Sequence, residues 1–310
     1  MALYSVNSAG RSLLAQNGRY KLRWRSAYVA TLCDLESKSL LLTQQKWNDS
    51  WEGLRAALVI AHPGHELRIH HWLERSKPQV FVLTDGSGLT NSSRTHRTEA
   101  LLELATAVKG PIFGSVSDKQ FYEAIVAGDA DLFVALSHDL ATALDESGVD
   151  YVVGDAVEGV EPGHDVCRLI VNAAVKRIEA SCGRRLGNFE FLVEGPPDAC
   201  PPAGRDQAIV VTLDEEAYRR KLEAARAYPE LAIDVERQVN SHGADAFRVE
   251  YLLPVRYDFE IASRFDHPAI YESRGEKLVA KGVFAEAIRF RRHIAPLAAR
   301  LERDAGTSIR

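Results

Sequence analysis

The chain predicts an α/β fold, a mostly parallel sheet with helices on both faces. Three observations carry this. Short unbroken apolar runs recur through the middle of the chain, as strands buried on both faces require. Each stops at a turn signal such as His-Pro-Gly or Asp-Gly. The stretches between them have helical spacing and the length of a crossover helix.

Residues 1–50 are polar and irregular, with a partly alternating stretch from Tyr20 to Leu32 that suits an edge strand or hairpin. The first buried strand is the run Ala56 to Ala61, stopped by His62-Pro63-Gly64, and His65 to Lys77 supplies a crossover helix. Val80 to Thr84 is the second strand, stopped by Asp85-Gly86-Ser87-Gly88. Arg94 to Val108 reads as helix, with Ala100, Leu101, Leu104 and Ala105 at helical spacing. Pro111 to Phe113 is a short third strand, and Asp118 to Ala127 and Leu140 to Ser147 are helical. Tyr151 to Val153 is the fourth strand, ending in Gly154-Asp155. A helix from about Asp165 to Ala180 and a fifth strand, Ala208 to Thr212, follow. Beyond a Pro-rich connection at 196–206 come a charged helix (Asp214 to Ala227, stopped by Pro229), a short strand near Phe247 to Leu253, and an amphipathic helix within Phe284 to Arg303. The expected organisation is an N-terminal extension (1–50), a Rossmann-like core (51–213) and a C-terminal α+β accessory layer packed on that core (214–310).

Composition narrows the function classes. The 310 residues carry 38 Lys+Arg against 43 Asp+Glu, so nothing electrostatic points to nucleic acid. The 46% hydrophobic and 26% charged fractions argue against a largely disordered chain. No apolar run reaches the roughly 18 residues of a membrane span, and no signal-like N-terminus is present, so a cytoplasmic location is expected. Cys33, Cys167, Cys182 and Cys200 form no C-x-x-C pair and read as free thiols in a reducing compartment.

Polar residues gather where the strands end, which in such sheets is where ligands bind. The sharpest feature is Ala61-His62-Pro63-Gly64-His65-Glu66, in which two histidines three apart at a strand-to-helix turn can face one point. His164, in Glu161-Pro162-Gly163-His164-Asp165, occupies a similar Pro-Gly turn after the fourth strand. Three imidazoles and one open position suit a catalytic zinc or another divalent metal. The plainer reading is of turns flanked by surface histidines. His70 and His71 on the first crossover helix, His96 in a Ser/Arg/Thr-rich loop, His138 near a helix start, and His242, His267 and His293 are weaker candidates. Trp24, Trp47, Trp51 and Trp72 suit core, interface or sugar stacking, core packing being the commoner role.

These motifs resemble those of the PIG-L/LmbE-like metal-dependent de-N-acetylases over roughly residues 55–185. The family's Ala-His-Pro-Asp-Asp-Glu is matched by residues 61–66, its Thr-Asp-Gly by Thr84-Asp85-Gly86, its Arg and Glu opening the next helix by Arg97 and Glu99, and its His-Pro-Asp-His by Glu161-Pro162-Gly163-His164. The resemblance implies a zinc held by His62, His65 and His164, and hydrolysis of an N-acyl group, most simply N-acetyl, on a small amino sugar or glycoconjugate. It implies substrate contacts at Asp85, Arg97 and Asp118, with Arg94 competing for Arg97's role. Asp85 and Asp118 serve equally as supports for the metal ligands.

The departures fall on the chemistry. One family ligand, an Asp, is His65 here. The family's base is Gly64, and the family's later His and Asp are Glu161 and Gly163. Two readings follow. Either the base has moved to Glu161, with Asp165 and Glu66 as the other carboxylates in range, or the fold persists as a catalytically degenerate sugar-binding or interaction module.

Overall fold

The computed structural model describes residues 51–88, 91–200, 205–256, 259–261 and 268–306. The expectations for Tyr20 to Leu32, Trp24, Trp47, Cys33 and His267 lie outside the described residues.

Strand β1 (Ala56–Ile60) is buried along its whole length, which requires cover on both sides. Alternate residues identify the two layers. Ala57, Val59 and Ala61 join the main core with Phe133, Leu140, Val166 and Leu169. On the other face, Tyr151 pairs in register with Ala56, and its ring meets Trp72 edge-on at 6.2 Å. Trp72 Nε1 also donates to the Tyr151 hydroxyl at 3.2 Å, so this tryptophan is a core residue.

The sheet runs β3-β2-β1-β4-β5-β7-β6, with β2 (Gln79–Thr84), β3 (Val108–Val116), β4 (Tyr151–Asp155), β5 (Gly187–Phe191), β6 (Ile209–Thr212) and β7 (Val249–Pro254). Strands β1 to β5 are parallel. β7 runs antiparallel to β5, and β6 antiparallel to β7. From β1 the chain winds outward through β2 and β3, then returns to start β4 on β1's other side. The reversal leaves a crevice at the carboxyl ends of β1 and β4. Around the sheet lie α1 (His70–Ser76), α2 (Thr95–Ala105), α3 (Asp118–Ala127), α4 (Ala130–Glu146), α5 (Pro162–Cys182), α6 (Glu215–Arg226), α7 (Ala232–His242), α8 (Ile270–Ala280) and α9 (Ala295–Ala305). Among the described residues no helix is long and apolar enough to cross a membrane.

Several elements differ from expectation. Gly187-Asn-Phe-Glu-Phe191 forms β5 although it carries no apolar run, and it pairs parallel with β4 and antiparallel with β7. The third strand extends over nine residues. His96 belongs to α2 rather than a loop, and His138 lies inside α4, where its Nε2 meets Asp304 at 2.7 Å. The last amphipathic stretch becomes regular only after a π turn at Phe290–Ile294. Cys167 and Cys200 are buried free thiols, whereas Cys182 is exposed.

The C-terminal region does more than cover the sheet. It contributes β7, which lies between β5 and β6. From β7 the Glu250 carboxylate accepts the backbone N–H groups of His71 (3.0 Å) and Trp72 (2.7 Å). These are orphan donors at the start of α1, so a side chain 179 residues away caps that helix. Lys221 on α6 donates to Glu250 at 2.8 Å and to the Arg68 carbonyl at 2.7 Å. Burial lowers the Lys221 pKa even though Glu250 pulls it the other way.

Candidate active site

β1 ends at a turn held by its neighbours. The Thr84 N–H and hydroxyl both donate to the Ala61 carbonyl, each at 3.0 Å. The Ala61 N–H donates to Asp155 Oδ2 at the end of β4, at 2.8 Å. Gly64 then takes φ 106°, a conformation that favours glycine. Its N–H donates to Glu66 at 2.8 Å, and Glu66 also accepts the Thr98 hydroxyl at 2.7 Å. Glu66 is fully buried, and burial raises its pKa against the pull of Thr98. It clasps the turn, with one bond to each oxygen.

His62, His65 and His164 come together. Their ring centres lie 5.4 Å (62–65), 5.6 Å (62–164) and 4.5 Å (65–164) apart. His62 Nδ1 meets Thr84 Oγ1 at 2.7 Å and Asp118 Oδ1 at 3.0 Å. Because the Thr84 hydroxyl already donates to Ala61, both partners accept, so Nδ1 carries the proton and the lone pair sits on Nε2. His65 Nδ1 faces Asp155 Oδ2 at 2.9 Å, with the same consequence. His164 is buried, and its pKa is held well below 6.5 by burial and by the neighbouring His65. It is therefore neutral at pH 7. His164 Nδ1 has no partner, and nor does Asp155 Oδ1 beside it.

The carboxylates that hold these rings are tuned by them. Burial would raise the pKa of Asp118, but its hydrogen bonds, that of His62 foremost, outweigh it and hold the acid well below its usual value. Asp155 behaves the same way: His65 offsets burial and leaves its pKa lowered. His65 gains in return, because Asp155 outweighs desolvation and raises its pKa. Imidazoles fixed by carboxylates through Nδ1 are the usual arrangement behind a metal.

No three His, Cys, Asp or Glu among the described residues stand as a ready-made cage for an ion. Three imidazoles around one tetrahedral ion, bound at about 2.1 Å, bring their ring centres roughly 5 Å apart, close to the spacing here. The lone pairs of His62 and His65 are on the nitrogens turned from their carboxylates, and His164 is neutral with an unpartnered buried nitrogen. In ring spacing and in the nitrogens left without protein partners, the three histidines are compatible with a divalent metal.

Pro162 opens α5, with Glu161 as its extended N-cap residue. Tyr122 on α3 donates its hydroxyl to Glu161 Oε2 at 3.0 Å. Burial raises the Glu161 pKa, while the Tyr122 hydrogen bond pulls it down less strongly. Asp165 accepts the N–H groups of Glu158 (3.1 Å) and Gly159 (3.2 Å), closing the loop before α5. Burial pushes its pKa up to about 7.

Other expected contacts are placed differently. Asp85 Oδ1 accepts the Ser87 and Asp118 N–H groups at 2.9 and 3.1 Å, so it supports Asp118. Asp118 itself is committed to His62 and to the Gly88 N–H at 2.7 Å. Arg97 is at the surface, paired with Glu230 at 3.3 Å. Arg94 is the arginine whose charge acts on His65. His71 turns to Glu74 at 3.1 Å, away from the cluster.

At Gly64 and Gly163 a side chain would meet its neighbours. A Cβ on Gly64 would overlap Leu231, which lies just before α7. A Cβ on Gly163 would fall 2.8 Å from His62 Nε2 and 3.0 Å from the Tyr122 hydroxyl. Gly64→Asp is therefore expected to cost about 1–3 kcal/mol through backbone strain alone, read as a lower urea midpoint, and to yield no extra activity. An unchanged midpoint would contradict this placement.

No family model matches the chain, and no curated protein matches it. Among solved structures it is similar to the zinc-inhibited form of teicoplanin deacetylase Orf2, with TM-score 0.44 and 15% identity over 66% of this chain and 99% of that one. A deacetylase–teicoplanin complex from the teicoplanin biosynthesis pathway gives the same values: TM-score 0.44, 15% identity, 66% and 99% coverage. At that identity and score the likeness bears on neither the activity nor the residues of this chain.

Proposed function

We propose that this chain is a divalent-metal-dependent hydrolase, with zinc the simplest ion, that removes an N-acyl group from an amino-sugar-like substrate. The observation that carries the reading is the meeting of His62, His65 and His164 beside Glu161, with two of the rings fixed by buried carboxylates. The N-acetyl amino sugar comes from the motif resemblance. A metal bound by the three imidazoles would polarise the acyl carbonyl and acidify a water.

Glu161 is the base in this reading. It takes the proton of the attacking water and returns it to the nitrogen of the leaving amine as the amide C–N bond breaks. A carboxyl raised by burial lies nearer the working pH than an exposed one, which suits a group that both accepts and donates. Asp118 and Asp155 keep His62 and His65 oriented, and Arg94 offers a positive charge beside the cluster. Asp165 and Glu66 shape the two turns.

Leu231 beside Gly64 favours the second reading, a non-catalytic sugar-binding module, because it leaves no carboxylate on that side. The two part on one experiment. Zinc-loaded protein is assayed for acetate release from free and glycosidic N-acetyl amino sugars, alongside Glu161→Gln. The expected result is turnover by the wild type and a loss of about two to four orders of magnitude in the variant, with zinc content and melting unchanged. No turnover of any substrate by the wild type would leave the binding module as the better account.

A further inference from the structure

Glu161 is aimed by a residue on another helix. Helix α3 begins at Asp118 behind a capping box, in which Ser117 accepts the Gln120 N–H and the Gln120 side chain accepts the Ser117 N–H. That fixes the first turn, and Asp118 and Tyr122, four residues apart, lie on one face of the helix. Asp118 holds His62 Nδ1 at 3.0 Å. Tyr122 lays its ring parallel to the same imidazole, with centres 6.3 Å apart and planes 1° apart, and gives its hydroxyl to Glu161 at 3.0 Å. The ring is backed by Phe121, which packs on Phe133 at 5.1 Å.

We propose that Tyr122 is the positioning residue of the candidate site: its hydroxyl, admitted by the missing side chain at Gly163, points the Glu161 carboxylate at the side of the histidine cluster where substrate lies. This rests on the hydrolase reading above. The space argument is direct, because a Cβ at Gly163 would reach within 3.0 Å of the hydroxyl. The glycine is thus the counterpart of the tyrosine. Burial and the charges of Glu161 and Asp118 keep the phenol protonated far above neutral pH, so it acts as a donor. One face of α3 thereby orients a metal-ligand ring and the base together.

The test compares Tyr122→Phe, Glu161→Gln and the double variant, as full-length zinc-loaded protein, on an N-acetyl amino sugar that the wild type hydrolyses. Tyr122→Phe is expected to lower kcat about ten- to a hundred-fold, the range for losing a hydrogen bond to a charged group. KM, zinc content and Tm stay as in the wild type, and the acid limb of the kcat–pH profile moves to higher pH. In the Glu161→Gln background the same change is expected to cost nothing further. A wild-type kcat and pH profile in Tyr122→Phe would overturn the proposal. So would a fall in zinc content or Tm, which marks a structural role, and so would a full additional loss in the double variant, which marks direct contact with substrate. A wild type that hydrolyses nothing removes the hydrolase reading and this proposal with it. An active wild type with an indifferent Tyr122→Phe removes only the proposal.

Discussion

His164→Ala is expected to strip the protein of divalent metal while leaving it folded. The choice of histidine matters. His62 is bonded to Thr84 and Asp118, and His65 to Asp155, so removing either ring also takes a hydrogen bond from a buried carboxylate. His164 Nδ1 has no protein partner, so its loss removes a donor to the ion without breaking a protein hydrogen bond at that atom. Zinc is measured on protein purified without an affinity tag, by elemental analysis and by competition with a chelator. The wild type should hold about one zinc per chain. In the variant the affinity should drop by more than about a hundred-fold, the upper end for loss of a group that merely supports a ligand. Melting in the presence of chelator should be similar for both. Stoichiometric zinc in the variant, or none in the wild type, would remove the metal site.

Lys221→Met is expected to have the largest effect on stability. Lys221 is 2% and Glu250 1% exposed, and removing one partner of a buried pair commonly costs about 3–5 kcal/mol. For a chain of this size that is a fall in Tm on the order of 10 °C. The cause is the stranded charge of Glu250 rather than the lost attraction. Lys221→Met combined with Glu250→Gln should therefore recover part of the loss: it removes the stranded charge, but the amide has one oxygen for the His71 and Trp72 N–H groups that Glu250 accepts on two. A single variant that melts with the wild type would show that water reaches the pair.

How far the fold was visible in the chain depended on where each strand sits. β1, β2 and β4 are covered on both faces, so burial wrote itself into unbroken apolar runs. β5 carries Asn188 and Glu190, and Asn188 serves the buried Arg168 at 2.9 Å. That guanidinium also donates to the carbonyls of Asp155 (2.8 Å) and Phe189 (3.0 Å). A strand that satisfies a buried cation cannot look like an apolar run, and its composition hid it.

The candidate site divides the same way. His62, His65 and His164 stand in local turns whose Pro and Gly residues are visible signals. Their partners arrive through tertiary contact. Asp155 reaches His65 across 90 positions and Asp118 reaches His62 across 56. Asp155 and Asp118 were at least strand-end carboxylates. Tyr122 and Leu231 carried no sign, since one is an aromatic residue in an ordinary helix and the other an aliphatic residue after a proline. Arg94 and Arg97 lie one helical turn apart, and only the direction of the helix decides which faces the crevice.

The place of β7 in the sheet also sets a schedule. β6 ends at Thr212, but the strand that pairs with it begins at Val249. At roughly 5–20 residues per second a ribosome needs a few seconds to make that stretch. During that time β5 has an open edge and β6 has no neighbour. Glu250 belongs to the same late strand, so the first turn of α1, directly behind the histidine turn, also waits uncapped. That first turn of α1 is among the earliest parts of the described chain to be synthesised, and among the last to be capped.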